Sequence, residues 1–124
     1  MSIGSDKYDL EERLIDFAVR IINLSESLPK TVIGKHISGQ LIRSGTSPAP
    51  NYGEAQSAES RADFIHKMRI ALKELRESRV WLLIIMKADL ITPVSKLDLL
   101  LDENNQLISI FVTSVETAKK NKTS

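Results

Sequence analysis

Apolar residues recur at helical spacing along almost the whole chain, and the breaks between the recurring sets are marked by proline and glycine. In the first set, Leu10, Leu14, Phe17, Ala18, Ile21, Ile22 and Leu28 fall on one side of a helix. Asp9 with Glu12 three residues later has the form of a capping box, and Pro29 ends the pattern. This predicts a helix over about 9–27. A second set, Val32, Ile33, Ile37, Leu41 and Ile42, starts near Thr31 and carries three glycines, Gly34, Gly39 and Gly45, that lower its helix propensity. Pro48 and Pro50 each remove an amide donor, so the predicted helix over about 31–56 is irregular near Ser47–Pro50.

The third set is the most regular. From Ser60, read as an N-cap with Asp63 at the third helical position, to about Asp89 there is neither glycine nor proline. Phe64, Met68, Ala71, Leu75, Ser78, Leu82 and Ile85 alternate spacings of four and three, the rhythm of a coiled-coil seam. Ile91-Thr92-Pro93 breaks the run. A last set, Leu97, Leu100, Leu101, Leu107, Ile108, Phe111, Val112 and Val115, predicts a helix over about 95–120. Lys119, Lys120 and Lys122 close it, at the negative end of the helix dipole, and the tail beyond Lys120 is expected to fray. No strand pattern competes. Four long helices with short connections predict an all-α, antiparallel up-down four-helix bundle formed as one domain by residues 1–124.

Two departures from a simple bundle pattern stand out. The first is the unbroken apolar run Val80–Met86, whose seven side chains cover every side of the third helix. Either neighbouring helices wrap this half completely, or Trp81, Ile84 and Ile85 meet another subunit. The second is a polar seam. Gln40, Ser44, Ser47, Asn51 and Glu54 follow the four-three rhythm of a core stripe but are polar, and Arg43 lies one step round from Gln40 and Ser44. Asp63, Lys67, Glu74 and Glu77 supply charged partners on the third helix, where Arg43 could clamp Glu74 or Glu77. One reading is a half-buried network that fixes helix register. Another is a ligand or nucleic-acid contact surface, and a third is a solvated face without consequence.

Composition narrows the chemistry. The chain has 124 residues, 42% hydrophobic and 27% charged, the balance of a globular protein. Its net charge of +1 supplies no global drive towards nucleic acid or anionic membrane. With no cysteine, disulfides, thiolate nucleophiles and Cys-ligated zinc are excluded. The beginning, MSIGSDKYDLEERL, lacks a signal-peptide pattern, and no apolar run approaches the length of a membrane span, so a cytoplasmic location is expected. His66 has no second histidine three or four residues away, and the acidic residues of the third helix lack the Glu-x-x-His arrangement of di-iron bundles. A phosphate-binding Gly-rich loop and a nucleophile elbow are absent too. The expectation is a protein without enzymatic activity, metal, cofactor or small-molecule substrate. One stripe remains for a polyanion: His66, Arg69, Lys73 and Arg76 recur opposite the Phe64–Leu82 seam, and oligomerisation would multiply them into a weak RNA or DNA contact.

The run from Gln40 to Trp81 also resembles a known family, the four-helix-bundle proteins encoded in intervening sequences of bacterial 23S rRNA genes. The resemblance rests on Gln40-Leu41, Arg43-Ser44, Ser47, Asn51 and Glu54, and then on Asp63-Phe64, Lys67, Lys73-Glu74, Glu77 and Trp81. Upstream, Leu10, Arg13, Phe17, Ala18 and Leu28-Pro29 fit the first helix of that pattern, so the match covers roughly residues 8–90. It implies a bundle that assembles as a ring-shaped homopentamer. The chain is also similar to the basic, pentameric accessory protein of diversity-generating retroelements, which works with a reverse transcriptase and nucleic acid, although its own charge of +1 departs from that basic form. The expected role is that of an interaction or scaffold protein, the alternative a nucleic-acid-binding accessory factor.

Overall fold

Each helix starts and stops where local chemistry dictates. The computed structural model describes residues 5–121, and Lys122 with the tail expected to fray lies outside them. Helix α1 spans Ser5–Glu26. It begins earlier than the capping-box pattern places it, so Asp9 is an interior residue and not an N-cap: no proline or glycine between Ser5 and Asp9 stops the helix from extending upstream. Helix α2 spans Val32–Thr46, and its N-cap Thr31 accepts a hydrogen bond from the Gly34 amide. A side chain at Gly34 would collide with the Pro29 carbonyl, so the tight entry from α1 to α2 depends on glycine there.

The second predicted helix is in fact two. Helix α3, Pro48–Gln56, follows α2 after Ser47. Pro48 takes the first helical position, where its missing N–H costs nothing within α3, but that same absence removes the donor that a continuous helix would aim at the Ser44 carbonyl of α2. Helix α4 spans Arg61–Lys87 behind Ser60, whose hydroxyl accepts from the Asp63 amide. It closes in a Schellman arrangement: Leu90 N–H donates to Ile85 O and Asp89 N–H to Met86 O, with Asp89 at a φ of 59° in the left-handed region. A short 3-10 turn, Val94–Leu97, then leads into helix α5, Asp98–Lys120.

The packing order follows from which helices touch. Helix α1 packs on α2, α3 and α5, and α4 packs on the same three. The backbones of α1 and α4 do not approach each other, and neither do those of α5 and the α2–α3 pair, which meet only through side chains such as the edge-to-face rings of Tyr52 and Phe111 across the core. The molecule is therefore a four-cornered bundle with α1, α2–α3, α4 and α5 in cyclic order and α1 diagonal to α4. Partners across the α2–α3/α4 boundary run in opposite directions, Arg43 with Glu77, Ser44 with Ser78 and Glu54 with Lys67, so the packing is antiparallel. All described elements are helical and none is a strand.

The core keeps most of the predicted apolar positions, but Ile22, Val32 and Ile33 are exposed, Ile22 on the outer side of α1 and the other two in the first turn of α2, while Leu24, Tyr52, Ala55 and Ile91 are buried without having been expected. Met68, Ala71, Leu75, Ser78, Leu82 and Ile85 are the buried residues of α4, which reproduces the seam from its second member onward. Phe17, Ile21, Leu41, Leu107 and Phe111 face them from the other helices. Each such side chain stabilises the fold by roughly 1.5–3 kcal/mol. Ile85 is fully buried in this core, so the expectation that it meets another subunit is incorrect: at four-three spacing it continues the seam and has no surface left to offer. Asn104 and Ser25 are polar additions, Asn104 fully buried, and Gly45 is buried on α2. A Cβ at Gly45 would stand 2.7 Å from two carbons of Ile21, so α1 and α2 approach as closely as they do because position 45 carries no side chain.

Candidate functional site

The polar seam resolves into separate contacts along the boundary between α2–α3 and α4. At one end Arg43, one turn beyond Gln40 on α2, extends over α4. Its Nη1 donates to Glu74 Oε1 at 2.9 Å, and its Nη2 donates to Glu77 Oε2 and to Gln40 Oε1. Glu77 also accepts from Trp81 Nε1 at 3.0 Å, one helical turn on. One guanidinium thus holds two carboxylates and, through Glu77, the orientation of the indole. The Glu74 side chain is only 16% exposed while that of Arg43 is 49% exposed, so the ion pairs lie at the rim of the bundle. Both carboxylates serve as acceptors for a fixed cation, which suits a structural clamp better than proton transfer.

One step inward the seam becomes buried. Ser44 and Ser78 are fully buried, and their hydroxyls lie 2.9 Å apart, with Leu41 O and Glu74 O as the further acceptors. Two small hydroxyls let α2 and α4 pack closely while satisfying each other. Asn51 turns back within its own chain segment, its Nδ2 donating to Ser47 O at 3.0 Å across the α2–α3 break. The Ser47 hydroxyl is buried and makes no hydrogen bond. At the far end Lys67 Nζ donates to Glu54 Oε1 at 2.7 Å, and this contact holds the ammonium above the usual lysine value. Asp63 reinforces that charge weakly, while its own amide is the one capped by Ser60. The ten polar residues therefore share one helix boundary without forming a continuous network.

Other contacts were not anticipated because one partner of each lies on α5, outside the polar seam. Arg13 on α1 makes a two-pronged pair with Glu103 on α5, Nε to Oε2 at 2.9 Å and Nη2 to Oε1 at 2.8 Å, and also donates to Gln106. That pair raises the Arg13 pKa. Arg79 on α4 donates to Asn105 on α5 at 3.0 Å. Asn104 Nδ2 donates to the Leu75 carbonyl at 3.2 Å, while its Oδ1 is buried without a partner. Asn104 had a sequence signal, since it completes a four-three-four stripe between Leu100, Leu107 and Phe111.

Two surfaces face outward on α4. His66, Arg69, Lys73 and Arg76 are all exposed, and among the described residues no carboxylate lies within ion-pair distance of the three long cations. Arg69, Lys73 and Arg76 with Leu72 line a shallow groove. Further along, Val80 is 51% and Ile84 38% exposed. Trp81 is half-buried beside them, with the His36 ring edge-on at 6.0 Å. Among the described residues no group of acidic or histidine side chains could hold a metal ion, and no helix is long and apolar enough to cross a membrane.

Residues 6–112 match the sequence profile described as 23S rRNA-intervening sequence protein. A crystal structure of a protein of unknown function from the S23 ribosomal protein family of Bacteroides thetaiotaomicron superposes with a TM-score of 0.80 at 33% identity. The similarity covers 89% of this chain and 97% of that one. No curated protein matches the chain.

Proposed function

The chain belongs to the family of 23S rRNA-intervening sequence proteins, and from that membership we propose that it works as a cytoplasmic, non-enzymatic homo-oligomer whose assembled surface serves as an interaction scaffold. One observation carries the reading: the outer face of α4 leaves Val80 and Ile84 in water beside a Trp81 that is held in place by Glu77. Contiguous branched apolar side chains next to a fixed aromatic ring are what subunit interfaces use. The ring of five subunits implied by the family resemblance is the form we propose for the assembly. The engaged state of Glu74 and Glu77 argues against a catalytic role for the seam and supports a role in setting how α2 meets α4. Native mass spectrometry tests the assembly: the reading expects a multiple of the 13.9 kDa chain, and a monomer at every concentration contradicts it.

A second reading has its own observation. Arg69, Lys73 and Arg76 line one groove without carboxylate partners, as a backbone-phosphate contact would require. In that reading the oligomer is an accessory factor that binds RNA or DNA weakly and without sequence preference. A gel shift at low and moderate salt tests it, with binding expected at low salt and weakening as salt rises. Absence of any shift at low salt removes the reading.

A further inference from the structure

The chain carries a second exposed apolar stripe besides Val80 and Ile84. On the outside of α1, Ile15, Val19 and Ile22 recur at spacings of four and three and are 43%, 49% and 40% exposed. Acids bracket them: Glu11, Glu12 and Asp16 towards the start of the helix and Glu26 towards its end, all exposed. Among the described residues no cation lies within ion-pair distance of these carboxylates. The outside of α4 has the same layout in the opposite charge. Val80 and Ile84 are bracketed by Lys73 and Arg76 on one side and Lys87 on the other. At a rise of about 1.5 Å per residue, the acids Glu12 and Glu26 stand about 10 Å from the centre of the α1 apolar stripe. Arg76 and Lys87 stand about 8–9 Å from the centre of the α4 stripe by the same measure.

We infer that the outer face of α1 in one copy docks on the outer face of α4 in the next, apolar stripe on apolar stripe with acidic brackets against basic ones. This rests on the oligomer reading above and supplies its partner. Because α1 and α4 occupy opposite corners of the bundle, the contact is head-to-tail, and repetition closes a ring when the rotation between copies allows it. It also places Lys73 and Arg76 against carboxylates of a neighbour, which removes them as a nucleic-acid surface in the assembled state.

The chain has no cysteine, so introduced thiols are its only ones. Val19→Cys and Val80→Cys are made separately, checked for helicity and native mass, mixed under exchange and mildly oxidised. A disulfide-linked dimer is expected from the mixture, with each variant alone remaining uncrosslinked, and a ladder is expected from the double variant. A multimeric native mass with no crosslink in the mixture, or efficient crosslinking of Val80→Cys with itself, overturns the α1–α4 assignment and leaves the oligomer reading standing. A monomeric native mass of the unaltered chain overturns both. RNA binding by the intact multimer that Arg69→Glu/Arg76→Glu abolishes without changing its mass also overturns the assignment, because the stripe would then be free.

Discussion

Arg43 reaches from α2 to two carboxylates on α4 while about half of its own side chain remains in water. Exposed pairs contribute little, but Glu74 is mostly buried, and removing its cation leaves a charge short of partners. Arg43→Ala is therefore expected to destabilise the chain by about 1 kcal/mol, with Arg43→Lys recovering only part of that, because an ammonium cannot hold both carboxylates in one plane. Thermal melts of the three proteins check the order. Asn104 argues in the other direction. Its Oδ1 is buried without a partner and its amide makes a single 3.2 Å bond to a carbonyl that already belongs to a helix. Asn104→Leu, close in shape, removes the desolvation cost and is expected to raise stability by about 1 kcal/mol. A lower melting temperature would show that the amide earns its place in the packing.

At the scale of the helices, α1 and α2 pack tightly at Gly45. A methyl group there would sit 2.7 Å from Ile21 carbons, so Gly45→Ala forces the two helices apart even though alanine is the better helix former. A loss of about 1–3 kcal/mol in denaturant unfolding is the expected result. Gly39→Ala is the internal control: no atom outside its own helix backbone lies near that position, and the same change there should stabilise. These elements also show what a sequence can and cannot reveal. Helix α4 is legible almost residue by residue, because an uninterrupted four-three rhythm has one helical solution. The α2–α3 break is legible as a weakness at two prolines, but whether it kinks or divides depends on how both halves reach α4. Arg43 with Glu74 and Glu77 is readable from seam spacing. Arg13 with Glu103 is not, since the partners are 90 residues apart and only the cyclic order of helices joins them. Ile85 misleads for a related reason: in a run of seven apolar residues, composition alone does not say which ones the core takes.

For the whole molecule, the distribution of surface is the main point. The four corners of the bundle share one core, yet two opposite corners keep apolar stripes in water with opposite charges at their ends. A monomer gains nothing from this arrangement, whereas a chain that meets copies of itself buries both stripes at once. The account therefore stands or falls on association through α4. Sedimentation equilibrium of the unaltered chain beside Val80→Asp/Ile84→Asp measures this directly. The account predicts a stable multiple of the 13.9 kDa chain for the first and a helical monomer for the second. A monomer for the unaltered chain, or an undiminished multimer for the variant, would contradict it.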